Sequence, residues 1–207
     1  MTEYIITAVV CYLIGSISPS YIIGKKVGNL DIRKEGSNNA GASNVAVTLG
    51  WKWAALTAFI DVIKGLFTVF IVRILTDINC AYVGYLFVVL GHIFPFYMGF
   101  KGGKGLATSM GAYGALAAVP TLLLLAFMIA VTVITGYISI STLSMAVVMF
   151  LYTVHVYGLQ SLPALMNGIL SAVVIAKHFV NIKRMIKGEE ISLWTTIKKN
   201  KQKKIEE

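Results

Sequence analysis

An all-α fold that crosses a membrane several times is predicted by three features of this sequence. The chain is too apolar for a soluble surface, its apolar residues fall into long runs, and its cations gather on one side of those runs. Of 207 residues, 57% are hydrophobic and 13% charged. So few charged side chains cannot coat a soluble domain of this size, which leaves the membrane class. The net charge of +9 comes from 18 Lys and Arg against 9 Asp and Glu. Such an excess suits cytoplasmic loops and anionic lipid, and no nucleic-acid partner is inferred. Cys11 and Cys80 lie in or beside apolar runs and read as packing residues, not as a disulfide framework or a metal site.

A spanning helix takes about 20 mostly apolar residues. Residues 4–24 form the first run, which starts directly after Glu3 with no basic region ahead of it. It is expected to be a retained helix, not a cleaved leader. Residues 53–75 and 81–98 are the second and third. Residues 106–118 are short and rich in small side chains, a weaker fourth. Pro120 breaks the run, 121–136 makes a fifth, and 143–157 and 162–176 complete seven. Five or six spans result if 106–136 is one span plus a re-entrant piece.

Seven is preferred because it sorts the cations. Lys25, Lys26, Arg33, Lys34 and Lys52 fall between the first and second runs, and Lys101 and Lys104 between the third and fourth. Lys177, Lys183, Arg184 and Lys187 follow the seventh. The opposite connections carry neither Lys nor Arg, which puts the N-terminus outside and the C-terminus in the cytoplasm. Arg73, near the outer end of the second run, is the exception and is expected to snorkel. Trp51, Trp53, Tyr82 and Tyr157 are expected at the interfaces. Residues 1–190 form one membrane domain. Residues 191–207 form a basic tail in which Ile191, Leu193, Trp194 and Ile197 precede a lysine cluster, a surface-lying or disordered segment.

Three segments on the inner side carry chemistry. "DIRKEGSNNAGASN", residues 31–44, has the Gly, Ser and Asn content that permits tight turns, close backbone approach and anion-binding nests. A plain hydrophilic loop is the alternative. "GHIFPFYMGFKGGKGLAT", residues 91–108, looks like a nucleotide P-loop but lacks its spacing, and Gly105 stands where Ser or Thr would bind magnesium. Gly102, Gly103 and Gly105 can still expose amides before a helix, with Lys101 and Lys104 adding charge. That is a phosphate site without nucleotide specificity. "KHFVNIKRMIKGEE", residues 177–190, sets His178 and Asn181 three apart on one helix face, where they can orient or deprotonate a hydroxyl. Ser139 and Ser141 of "YISIS" supply further donors at the same face. Asp61 and Lys64, three apart inside the second run, read as a structural ion pair because a lone intramembrane charge is costly. His92 braces the second segment. No Ser–His–Asp triad, metal cluster or cofactor motif is present.

These three segments resemble the signature motifs of the bacterial acyl-phosphate-dependent glycerol-3-phosphate acyltransferase family (PlsY type). The resemblance also takes in "GSISPS", "DVIKG" and "YISIS" and runs to Glu190. It implies a seven-helix enzyme of the bacterial cell membrane with its active site at the cytoplasmic face. The implied reaction moves a fatty acyl group from acyl phosphate to the 1-hydroxyl of glycerol 3-phosphate. Lysophosphatidic acid and phosphate are the products, with no cofactor and with neither acyl-CoA nor acyl carrier protein as direct donor. Carried over by position, Ser37, Lys104, His178 and Asn181 are catalytic. Lys101, Gly102, Gly103, Gly105 and Ser139 bind phosphate, and Arg33, Asn39, Asn44 and His92 support them.

Three positions depart from the family pattern. Val47 stands where Arg is usual, Asn38 where Gly is usual, and Gly136 where a basic residue is common. Arg33 or Lys34 is a candidate to compensate for Val47. Two alternatives remain at this point: a catalytically weakened paralogue, and a non-enzymatic anion transporter or lipid-binding protein that uses Asp61 and Lys64.

Overall fold

A computed structural model describes residues 1–190 and 192–195, so Ile191 and most of the tail lie outside the described residues. The described residues form ten α-helices: α1 (Thr2–Ser16), α2 (Pro19–Val27), α3 (Ala42–Thr48), α4 (Trp51–Leu75), α5 (Ile78–Ile93), α6 (Leu106–Leu116), α7 (Ala118–Thr135), α8 (Ile138–Tyr157), α9 (Leu162–Lys177) and α10 (Phe179–Ile186). Among the described residues, five stretches are long and apolar enough to cross a membrane: Thr2–Val27, Trp51–Leu75, Ile78–Met98, Ala118–Thr135 and Ile138–Tyr157. A sixth arises if α9 and α10, bent by 46°, count as one.

The expected fourth span is α6, and it differs from a full crossing. Its 11 residues reach roughly 16 Å at the helical rise, about half of a hydrocarbon core. Its last carbonyls would be stranded in apolar surroundings. Arg73 meets them: Nη1 donates to the carbonyls of Ala115 at 2.6 Å and Leu116 at 2.7 Å. The guanidinium, itself exposed, therefore caps a buried helix end. The same need is met at the break between α1 and α2. Ser18 caps α2 ahead of Pro19. The Tyr97 hydroxyl accepts from the Ser18 amide and donates to the Ser16 carbonyl. Backbone groups freed from a helix in lipid must find partners within the protein.

Small residues set the helix crossings. A methyl group on Gly111 would strike the Val62 carbonyl of α4, and one on Gly65 the Thr108 carbonyl of α6. Close backbone approach of this kind is how helices associate where lipid is as apolar as the side chains. Gly111→Leu is expected to force α4 and α6 apart at a cost of about 1–3 kcal/mol, read as a lower thermal midpoint in detergent. An unchanged midpoint would contradict the packing.

The core centres on α5, with Tyr82, Tyr85, Val88, Val89 and Ile93 packed against Tyr113, Met145, Met149 and Leu170. Tyr82 is therefore not an interfacial anchor. Its ring lies edge-on to Tyr85 and Tyr157 inside the bundle. Trp51, by contrast, is exposed. Helix α7 turns Leu122, Leu123 and Ile134 outward, as a lipid-facing helix does.

Candidate active site

The three inner segments meet around one cavity of about 520 Å³. Ser37, Asn39, His92, Lys104, Gly105, Ser139, His178 and Asn181 all line it. Arg33, Asn44, Lys101, Gly102 and Gly103 do not.

Loop 36–44 is built around Asn44, which is 1% exposed. Its Nδ2 donates to the carbonyls of Ile32, Glu35 and Asn39 at 2.8, 2.9 and 3.0 Å, and its Oδ1 accepts from the Ser37 amide at 2.9 Å. One amide side chain thus closes the loop and presents Ser37 to the cavity. Asn38 takes φ 58°, a left-handed conformation that Asn tolerates better than most residues. The replacement of the usual Gly there leaves the turn possible. Arg33 clips this loop to the next: it pairs with both oxygens of Asp31 and donates to the Met98 carbonyl at 2.6 Å. The hydrogen bonds from Arg33 to the carboxylate, with its positive charge, hold the Asp31 carboxyl down at about 2. The guanidinium is committed to this clip and does not replace a charge at position 47.

The second segment differs from expectation in how its glycines act. Instead of opening towards a ligand, the Gly102 amide donates to the Ile93 carbonyl and the Gly103 amide to the His92 carbonyl, both at 3.1 Å. They cap the end of α5. Gly103 must be glycine because a methyl there would strike the His92 ring. Lys101 is exposed and is not part of the cavity's lining. What the segment offers the cavity is Lys104, Gly105 and the start of α6, which has no side-chain cap. First-turn amides of a helix have no intrahelical acceptor, which makes them anion donors.

Lys104 Nζ donates to Asn181 Oδ1 at 2.6 Å. Asn181 Nδ2 donates to Glu190 Oε1, and Ser139 Oγ donates to the same oxygen, each at 2.6 Å. Burial pulls Lys104 below the ordinary lysine range. Glu190 opposes this, and Arg184 and Lys177 reinforce it. His178 sits at the bend between α9 and α10, 3% exposed. Its Nδ1 lies 2.8 Å from the Val174 carbonyl. A carbonyl only accepts, so Nδ1 carries the proton, and Nε2 of the neutral ring keeps its lone pair. Ser141 does not join Ser139. It turns into the bundle to bond Thr132 at 2.7 Å, since residues two apart on a helix face apart.

Asp61 and Lys64 pair at 2.6 Å, as their spacing suggests, and His92 joins them. Lys64 also donates to the Ile17 carbonyl at 2.7 Å, so it caps the α1–α2 break. This cluster is satisfied locally, and Asp61 and His92 also reach the lining of the cavity. Sequence reasoning missed Glu190, Arg184 and Leu193, all of which line the cavity. Glu190 stood inside a quoted motif, yet nothing in its spacing said that it would reach back to Ser139. Val47 also lines the cavity, which makes that departure a feature of the site itself.

Fold and cavity together define an integral membrane protein with a cation-bearing chamber at one end of its bundle. Residues 5–188 match the family described as glycerol-3-phosphate acyltransferase, and the chain belongs to that family. A glycerol-3-phosphate acyltransferase of Clostridioides difficile (strain 630) is 42% identical over 194 residues, covering 91% of this chain and 94% of the relative. One of Thermoanaerobacter sp. (strain X514) is 37% identical over 189 residues, covering 91% and 95%. The crystal structure of PlsY (YgiH), an integral membrane glycerol 3-phosphate acyltransferase, superposes in its glycerol 3-phosphate form with a TM-score of 0.84 at 31% identity, covering 91% of this chain and 94% of that one. Its lysophosphatidic acid form superposes at 0.82 and 30% identity, with the same coverage.

Proposed function

We propose that this chain transfers a fatty acyl group from acyl phosphate to the 1-hydroxyl of glycerol 3-phosphate, the first step of bacterial phospholipid synthesis. The observation that carries the reading is the convergence of Ser37, Lys104, Ser139, His178 and Asn181 on one cavity, beside a wall of Ala46, Ala54, Ala55, Ala58 and Leu106. Cations and donors suit phosphate, and the apolar wall suits a fatty chain. By the positive-inside rule the cavity faces the cytoplasm and the N-terminus lies outside the cell membrane.

Acyl phosphate is a mixed anhydride and is already activated. The acceptor's hydroxyl oxygen bonds to the carbonyl carbon, the bond from that carbon to the phosphate oxygen breaks, and phosphate leaves with the electron pair. Lys104, Ser37, Ser139 and the first-turn amides of α6 stabilise the phosphate charge. His178 and Asn181 hold glycerol 3-phosphate and aim its hydroxyl. The proton passes to His178 Nε2 or to an oxygen of the departing phosphate. Arg184 is the second cation within reach of the substrates.

Offering the same acyl chain on phosphate, on coenzyme A and on acyl carrier protein tests the donor. Transfer from acyl phosphate alone is expected, and equal transfer from acyl-CoA would overturn the donor assignment. Val47→Arg adds a guanidinium at the cavity wall. A charge-assisted bond of about 1.5–3 kcal/mol corresponds to roughly a tenfold to hundredfold gain in kcat/KM. No gain would mean that Arg184 already supplies that charge.

A further inference from the structure

Beyond the groups that handle phosphate, the cavity has an apolar wall that comes from outside the helical bundle. Glu190 and Leu193 line it, and both lie beyond the end of α10. Glu190 ties this segment to α8 through Ser139 and to α10 through Asn181. Three residues on, the Leu193 amide donates to the Gly136 carbonyl at 2.8 Å. Gly136 ends α7 at φ 78°, and a methyl there would meet the Trp194 ring at 2.7 Å and Ser192 Oγ at 2.8 Å. Glu190 and residues 192–194 therefore tie the chain beyond α10 to the turn between α7 and α8. Gly136 leaves the room that Ser192 and Trp194 occupy, and Leu193 is half-buried against the cavity.

The chemistry gives this wall a task. A mixed anhydride reacts with water as well as with an alcohol. In the wasteful reaction a water oxygen bonds to the same carbonyl carbon, the same bond to phosphate breaks, and fatty acid and phosphate result. Lys104 and Ser139 would assist that departure whichever nucleophile attacks. Choosing the acceptor then depends on keeping water from the carbonyl, and an apolar side chain in the lining of the same cavity does so. We propose that Leu193 is a specificity-determining residue of this site: held by the Gly136 carbonyl, it excludes water and so favours glycerol 3-phosphate over hydrolysis as acceptor. This rests on the acyl-phosphate reading above.

The test uses full-length protein in detergent with acyl phosphate and glycerol 3-phosphate, and it counts free fatty acid against lysophosphatidic acid. Leu193→Ala removes the apolar wall, and Leu193→Pro removes the amide that anchors it. Both are expected to raise the fatty-acid share severalfold with the KM for glycerol 3-phosphate little changed, and Leu193→Met is expected to behave as the parent. A parent-like share in Leu193→Ala, in protein that still transfers, would overturn the proposal. So would an equal rise in Leu193→Met. Absence of transfer in the parent protein would instead count against the functional reading on which it stands.

Discussion

Lys104→Ala is expected to lower kcat/KM by about a hundredfold to a thousandfold, the usual loss when a preorganised charge partner is taken from a reacting centre. The bundle should stay folded. The Lys104 ammonium bonds Asn181, whereas the loop that carries it is held by the Gly102 and Gly103 amides, which alanine leaves alone. A far-ultraviolet spectrum and thermal midpoint close to the parent's would accompany the loss. Charge is the point at issue, and pH exposes it. Burial lowers the Lys104 pKa, so its positive charge is lost as pH rises through a value below the ordinary lysine range. Activity should therefore fall on the alkaline side earlier than an ordinary lysine would dictate. Lys104→Arg, which stays charged at high pH, should move that limb upward even where it lowers the maximal rate. A limb that stays in place would remove Lys104 from the titration.

Asn44→Asp is expected to do greater damage to the fold with a smaller change in atoms. The substitution deletes the donors that serve three carbonyls and turns a carboxylate towards them. The Ser37 amide still finds an acceptor, so the whole penalty falls on the carbonyls of Ile32, Glu35 and Asn39. An uncompensated buried charge costs about 3–5 kcal/mol, enough to open loop 36–44 and withdraw Ser37 from the cavity. The measurable result is a lower thermal midpoint together with lost transfer, unlike the Lys104 variant, which loses transfer alone. An Asn44→Asp protein of parental stability would show that Asn44 does not organise the loop.

Much of this was legible in the residues themselves. Long apolar runs mark their own helices, because the length of a span is fixed by bilayer thickness. The runs at 53–75 and 162–176 fall within one to two residues of α4 and α9. The short sixth helix was visible as a weak span, but its end is made possible by Arg73, a partner 42 residues earlier than Ala115. Lys104 and His178, singled out by side-chain type and position, both line the cavity. Gly102 and Gly103 differ from expectation, because an exposed amide and an amide capping α5 look the same in sequence. Glu190 and Leu193 were missed for a related reason. Their places depend on where the chain returns after α10, and a tertiary return leaves no local periodicity to read.

The central claim is that the cavity joining Ser37, Lys104, Ser139, His178 and Asn181 is where an acyl group passes from one phosphorylated molecule to another. The direct measurement supplies purified, folded protein with acyl phosphate and radiolabelled glycerol 3-phosphate and follows both label and phosphate. Labelled lysophosphatidic acid should accumulate in step with released phosphate. Label that stays in glycerol 3-phosphate, in protein whose fold is intact, would contradict it.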